Sequence, residues 1–129
     1  MKLYLDTDVF LALMKEKDRH KLAAEKFMAN QKETCFVTST LTCLEIWFYL
    51  YRNNFGNKAL DAVRAVKAIA EVWDIQQANL ESGLILAQEY NLSPADAVHA
   101  ILAKKTDGIV SSDHSFDKIP QLNKINFTS

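Results

Sequence analysis

Five carboxylates sit where a sheet-based protein can put them to chemical use: Asp6, Glu45, Asp96, Asp113 and Asp117. Asp6 closes the apolar run Leu3-Tyr4-Leu5, with Thr7 and Asp8 behind it. Asp96 follows Ser93-Pro94-Ala95, and Asp113 follows Ile109-Val110-Ser111-Ser112, with Asp117 four residues on. Each has a plain local explanation. Asp6 is a good helix cap. Ser93, Pro94 and Asp96 fall where a cap, a first-turn proline and a capping-box acid belong. Asp113 suits a turn. Glu45 resists such an explanation. It lies in Leu41-Thr42-Cys43-Leu44-Glu45-Ile46-Trp47-Phe48-Tyr49-Leu50-Tyr51, a segment apolar on almost every helical face. Such a helix is expected to be buried or to form an interface. A carboxylate there needs a base, a cation or solvent at a cleft, since burying it alone costs several kcal/mol.

Carboxylates gathered at one place repel one another, and a bound cation makes the gathering inexpensive. Ligands that are all oxygen suit hard Mg²⁺ or Mn²⁺. Two such ions about 4 Å apart activate water and stabilise the leaving oxygen of a phosphodiester.

The elements that position these acids can be read from the spacing of apolar residues and the breakers. Residues 2–6 form a short strand ending in an acid, and residues 9–14 begin a helix. Leu22, Phe27 and Met28 mark a second helix that ends near Asn30. Cys35-Phe36-Val37 is a second strand. Residues 39–52 form a helix opened by Ser39 or Thr40, and Asn53-Asn54-Phe55-Gly56 breaks it. Leu60, Val63, Val66, Ala70 and Trp73 keep helical spacing, and Val72–Ile75 reads as a third strand. Leu80, Leu84, Ala87 and Tyr90 give another helix. The next starts at Ser93-Pro94-Ala95-Asp96 and runs to about Lys105. Asp107-Gly108 turns, Ile109-Val110 is a fourth strand, and a last strand lies near Ile125. Strands alternating with helices predict an α/β fold with a mostly parallel sheet. In such sheets the ligand site lies outside the carboxyl ends of the strands, which is where these acids fall.

The chain has 129 residues, 49% hydrophobic, which suits one domain over 1–129 with a real core. Its net charge of −1 points to neither nucleic acid nor membrane. Setting the five acids aside leaves 15 basic and 11 acidic residues, a net of +4, so a cation-neutralised site would leave a surface leaning basic. Arg52, Arg64 and Lys67 are candidates for phosphate contact, although solvated helix faces are the default account of them. Cys35 and Cys43 lie in apolar stretches without metal-site spacing, so both are expected to be reduced, buried thiols. His20, His99 and His114 are expected to be solvated or hydrogen-bonded. With no secretory segment and no apolar run near the ~20 residues of a membrane span, a cytoplasmic location is expected.

Taken in order, the motifs resemble the PIN-domain family. Leu3-Tyr4-Leu5-Asp6-Thr7-Asp8-Val9-Phe10 looks like its opening strand and turn. Leu44-Glu45 matches its internal glutamate, Leu92-Ser93-Pro94-Ala95-Asp96-Ala97-Val98-His99-Ala100 resembles its central aspartate motif, and Ile109-Val110-Ser111-Ser112-Asp113-His114-Ser115-Phe116-Asp117 resembles its closing segment. Asp8 departs from the commoner Asn or Ser. The bare length is similar to the VapC-type toxins of toxin–antitoxin pairs. The resemblance implies a three-layer α/β/α fold and Mg²⁺- or Mn²⁺-dependent cleavage of single-stranded RNA. It also implies a homodimer and a small antitoxin partner. By position it makes Asp6, Asp96 and Asp113 metal ligands, Asp117 an auxiliary acid, Glu45 a ligand or water-orienting group, and Thr7 a support for Asp6.

Two other readings stay open on the residues alone. Asp6-Thr7-Asp8 after an apolar strand also resembles the nucleophile motif of haloacid-dehalogenase-type phosphatases. That reading leaves Glu45 and Asp96 without work. A catalytically inactive RNA-binding module is the other, and it gives no reason to keep four costly carboxylates. The aromatic helix 41–51 reads equally as core or as a partner-facing surface.

Overall fold

The structure, a computed structural model, describes residues 1–129. Five strands are β1 (Lys2–Leu5), β2 (Cys35–Ser39), β3 (Glu71–Trp73), β4 (Ile109–Val110) and β5 (Lys124–Ile125). Six helices are α1 (Thr7–Met14), α2 (Lys21–Ala29), α3 (Thr40–Arg52), α4 (Ala59–Ile69), α5 (Gln77–Tyr90) and α6 (Pro94–Ala103). Short 3-10 turns cover Gly56–Lys58 and His114–Lys118.

The sheet order is β3-β2-β1-β4-β5, and all four pairings are parallel. The expected α/β architecture is therefore present, with a sheet that is parallel throughout. Alternation along β1 divides the core in two. Leu3 and Leu5 point to one face, where they join Val9 and Phe10 of α1, Ala24 of α2, Ile46 of α3 and Val66 of α4. Tyr4 points to the other face, with Leu86 of α5 and Val98, Ala100 and Leu102 of α6. Ile109 and Val110 of β4 split in the same way. Two helical layers thus sandwich the sheet.

The chain lays β2 and then β3 on one side of β1 and returns to place β4 on the other side. The carboxyl end of β1 is therefore the point where the strand order reverses, which opens a crevice at that edge.

Several sequence expectations need correction. Trp73 belongs to β3 and not to the preceding helix, which ends at Ile69, and the strand stops short of Ile75. Cys35 is exposed and Cys43 half-buried, although both thiols are free as expected. Cys35 starts an outer position of β2, and apolar neighbours in sequence did not bring burial with them. Helix α3 is not enclosed, since only Thr42 and Ile46 are buried. Leu44, Trp47, Phe48 and Tyr51 are 43%, 56%, 49% and 71% exposed. The reading of helix 41–51 as plain core fails for that face.

Candidate acidic site at the sheet's carboxyl edge

Three of the acids are fixed by the junctions they cap. Asp6 ends β1 and opens α1, accepting from the Thr7 N–H at 2.8 Å. Asp113 ends the β4 segment and accepts from the Ser115 N–H at 2.8 Å. In α6, Ser93 is the cap and Pro94 takes the first turn, while Ser93 Oγ accepts from the Asp96 N–H at 3.2 Å. Asn91 adopts a left-handed φ of 53°, which closes α5 and lets the chain turn directly into that cap. No bond returns from the Ser93 N–H to Asp96, so only half of the expected capping box forms. Capping and site chemistry are compatible here. A helix N-terminus favours negative charge, and each first turn opens onto the same sheet edge.

Ser111 joins β4 to β1. Its hydroxyl donates to Asp6 Oδ2 at 2.7 Å and accepts from the Asp113 N–H at 3.0 Å. Asp8 lies beside this pair. Its Oδ2 accepts from the Ser112 N–H at 2.8 Å and from the Ser112 hydroxyl, while Oδ1 is buried with no partner. An orphaned carboxylate oxygen is costly unless a cation faces it.

Glu45 reaches the edge from α3. Its Oε1 accepts from the Thr7 hydroxyl at 2.7 Å and lies 2.5 Å from His99 Nε2. His99 is fully buried, one turn along α6 from Asp96. Its Nε2 is 3.6 Å from Asp6 Oδ1, and its Nδ1 is 2.7 Å from the Tyr4 hydroxyl, which is 2.7 Å from Ser39 Oγ. That bond explains why Ser39 sits at the start of α3 yet its hydroxyl accepts no capping bond from the first turn. Behind Thr7, Thr38 donates to the Leu5 carbonyl at 2.9 Å and lies 2.7 Å from Thr42.

The electrostatics follow from this crowding. Burial raises the Asp6 carboxyl to about 7; His99 opposes that rise and Asp8 adds to it. Burial raises Asp8 as well, against its bonds to Ser112, and Asp113 pushes it further. Asp96 is raised by burial and by the charges of Asp113 and Glu45. Burial would also raise Glu45, but the hydrogen bond and charge of His99 outweigh it and hold this carboxyl below its ordinary value. Burial opposes charge on His99, yet Glu45 and Asp6 raise its value overall.

Asp6, Asp8, Glu45, Asp96 and Asp113 are thus brought within electrostatic reach of one another. Asp117 is held apart. It is exposed, pairs with His114 at 3.0 Å and Lys124 at 3.1 Å, and those partners lower its carboxyl. No Lys or Arg makes an ion pair with any of the five gathered acids, so His99 is the one basic side chain paired with them. No three acids or histidines converge into a closed metal cage. The donor chemistry still fits a hard divalent cation, being all oxygen, negatively charged, and with one buried oxygen unpartnered.

Two participants carry no assigned role in the sequence reading. His99, expected to be solvated or hydrogen-bonded, is hydrogen-bonded and buried. Its place three residues after Asp96 puts both on one face of α6, and that spacing was the available signal. Asp8 lies two residues from Asp6 with no local cue to its direction, since its partner Ser112 is 104 residues away.

A cleft of about 570 Å³ opens beside Glu45 and Thr7, lined by Leu41, Leu44 and Phe48 of α3 and by Leu80 of α5. A second groove, of about 280 Å³, is formed by Leu44, Trp47, Phe48 and Tyr51 alone.

The model of the PIN domain matches residues 3–122, and the chain belongs to that family. No curated protein sequence matches it. Solved structures with the same fold include a VapBC complex bound to DNA from Salmonella typhimurium, at 24% identity, TM-score 0.70 and 98% coverage of both chains. VapBC-1 from nontypeable Haemophilus influenzae aligns at 18% identity and TM-score 0.75 over 100% of both chains. VapC20 of Mycobacterium tuberculosis, a toxin that cleaves the sarcin-ricin loop, aligns at 19% identity and TM-score 0.74, covering 93% of this chain and 98% of that one. The three-layer α/β/α arrangement is thus the PIN-domain fold.

Proposed function

We propose that residues 1–129 act as one divalent-metal-dependent endoribonuclease domain, the toxin of a toxin–antitoxin pair, working on single-stranded RNA in the cytoplasm. One observation carries this reading. Five carboxylates meet at the reversal point of a parallel sheet with no Lys or Arg paired to them. Membership of the PIN-domain family and the likeness to VapBC structures support it.

Asp6, Asp96 and Asp113 would hold Mg²⁺ or Mn²⁺, with Asp8 close by. Asp117 belongs to this set only as a rim acid, tied to Lys124. A divalent ion bound there supplies an activated water and charge stabilisation at the leaving oxygen of a phosphodiester. Thr7 orients Glu45 by donating to its Oε1. Glu45 lines the cleft, and with Oε1 engaged its other oxygen is left to direct a water toward the scissile phosphorus. Ser111 holds Asp6 and the Asp113 backbone together, which keeps the two acids in register across β1 and β4. Arg52 lines the same cleft and is placed to meet a phosphate.

We also assign a homodimer and a small antitoxin as partners. The exposed apolar face of α3, with Leu80 and Leu84 of α5, is the surface offered to them. No helix is long and apolar enough to cross a membrane.

Cleavage of an unstructured RNA by purified protein in Mg²⁺, Mn²⁺ or EDTA tests the reading. Cleavage that needs metal and is lost in folded Asp6→Asn and Asp96→Asn variants supports it. Equal cleavage in EDTA, or intact activity in both variants, sinks it. A phospho-aspartate trapped on Asp6 would favour phosphatase chemistry instead.

A further inference from the structure

We propose that His99 is a positioning residue for Glu45, clamping one carboxylate oxygen so that the other faces the cleft; this rests on the nuclease reading above. Both hydrogen bonds of Glu45, from Thr7 and from His99, fall on Oε1, at 2.7 and 2.5 Å. The side chain is 32% exposed while that of His99 is 1% exposed, so the imidazole anchors the acid from within. Oε2 has no hydrogen-bond partner in the protein, and Glu45 lines the cleft.

The ring itself is immobilised at its far end. Nδ1 meets the Tyr4 hydroxyl at 2.7 Å, and that hydroxyl meets Ser39 Oγ at 2.7 Å. The Tyr4 ring also packs edge-on against the imidazole, with centroids 5.6 Å apart and planes at 62°. The chain Ser39–Tyr4–His99–Glu45 therefore joins β2, β1, α6 and α3 through side chains alone. A histidine that merely fills the core needs any two partners. This one directs Nε2 at two site carboxylates, Glu45 at 2.5 Å and Asp6 at 3.6 Å. Because a carboxylate oxygen accepts, the proton on Nε2 is given to Glu45, while Nδ1 and the Tyr4 hydroxyl share the ring's other hydrogen bond. A supporting hydrogen bond of this kind, placed behind a working carboxylate, is worth about 10–100-fold in activity or metal affinity.

Two substitutions separate positioning from packing. His99→Gln is long enough to set an amide N–H where Nε2 stands, so the bond to Glu45 is kept. His99→Asn reaches only the Nδ1 position, keeping Tyr4 and losing Glu45. Positioning predicts that His99→Asn lowers kcat about 10–100-fold with an unchanged KM for RNA, and that His99→Gln recovers most of the loss. Thermal melts of the two variants should be alike. Equal losses in both variants, or a loss expressed in KM, would overturn the proposal. If wild type cleaves no RNA, the nuclease reading falls separately, and Mn²⁺ titration followed by electron paramagnetic resonance takes over as readout. Weaker Mn²⁺ binding by His99→Asn than by His99→Gln would then still support the clamp. Equal affinities, or no Mn²⁺ binding by wild type, would overturn it.

Discussion

Ser111 donates its hydroxyl proton to Asp6 across the β1–β4 pair at 2.7 Å, although 105 residues separate them. This bond favours a charged Asp6, yet burial wins and the carboxyl lies near 7. The native state therefore holds a proton that the unfolded chain, with a carboxyl near 3.8, releases. The stability from that proton is complete below the unfolded value and is lost as pH rises through the folded one. In EDTA, Asp6→Asn should melt higher than wild type above about pH 7, and the two should converge toward about pH 4. Calorimetry across that range decides it. A difference that ignores pH would mean Asp6 is ionised throughout.

Asp8 carries the orphaned oxygen, and a cation would satisfy it. Asp8→Asn keeps an acceptor for Ser112 and removes one negative charge. The metal-free variant should be more stable than wild type, and its Mn²⁺ affinity should fall by about 10-fold, roughly 1.4 kcal/mol. Isothermal titration beside thermal melts checks both signs. Unchanged affinity would remove Asp8 from the metal's surroundings.

The cap on α6 is a single bond from the Asp96 N–H to Ser93 Oγ. Ser93→Ala should cost about 1 kcal/mol in urea denaturation. Because Asp96 lies in the turn that this bond closes, fraying there should also weaken Mn²⁺ binding. A stability loss with full metal affinity would show that Pro94 alone holds the turn.

Trp47 and Tyr51 leave more than half their surface in water. If α3 is the face offered to a second copy, Trp47→Glu should shift the protein to monomer in sedimentation velocity while the melting temperature stays within a few degrees. A wild type that is monomeric at every concentration would leave the antitoxin as the occupant of that face.

The strands and helices were legible because each is short and bounded by a clear breaker. Asn53–Gly56, Ser93-Pro94 and Asp107-Gly108 each fall at an element boundary in the structure. Trp73 fits both the helical spacing and the strand that follows, since a periodic pattern carries past a helix end when the next strand is also apolar. Asp6 and Asp113 stand out in the sequence because strand ends in a parallel sheet share one edge, Asp96 because Ser93-Pro94 marks a first helical turn, and Glu45 because it is a carboxylate in an otherwise apolar helix. Asp117 could not be separated from them, because its partner Lys124 belongs to β5 and sequence distance does not reveal the pairing. The His99–Tyr4–Ser39 chain was illegible for the same reason. It depends on which face of β1 Tyr4 takes, and neighbours from β2 and α6 settle that. The openness of α3 was hidden too, since periodicity shows which residues are apolar but not how many elements arrive to cover them.

The central place of β1 in the sheet also sets an order of events during synthesis. β1 is made long before its neighbour on one side, β4, which comes only at Ile109 and Val110. Until then Asp6 lacks Ser111, and Asp113 does not yet exist. Contacts so distant in sequence form late, after the local ones. A growing chain therefore keeps its acids scattered, and whatever reaction the edge performs begins only once the stretch from β1 through Asp113 is free to fold.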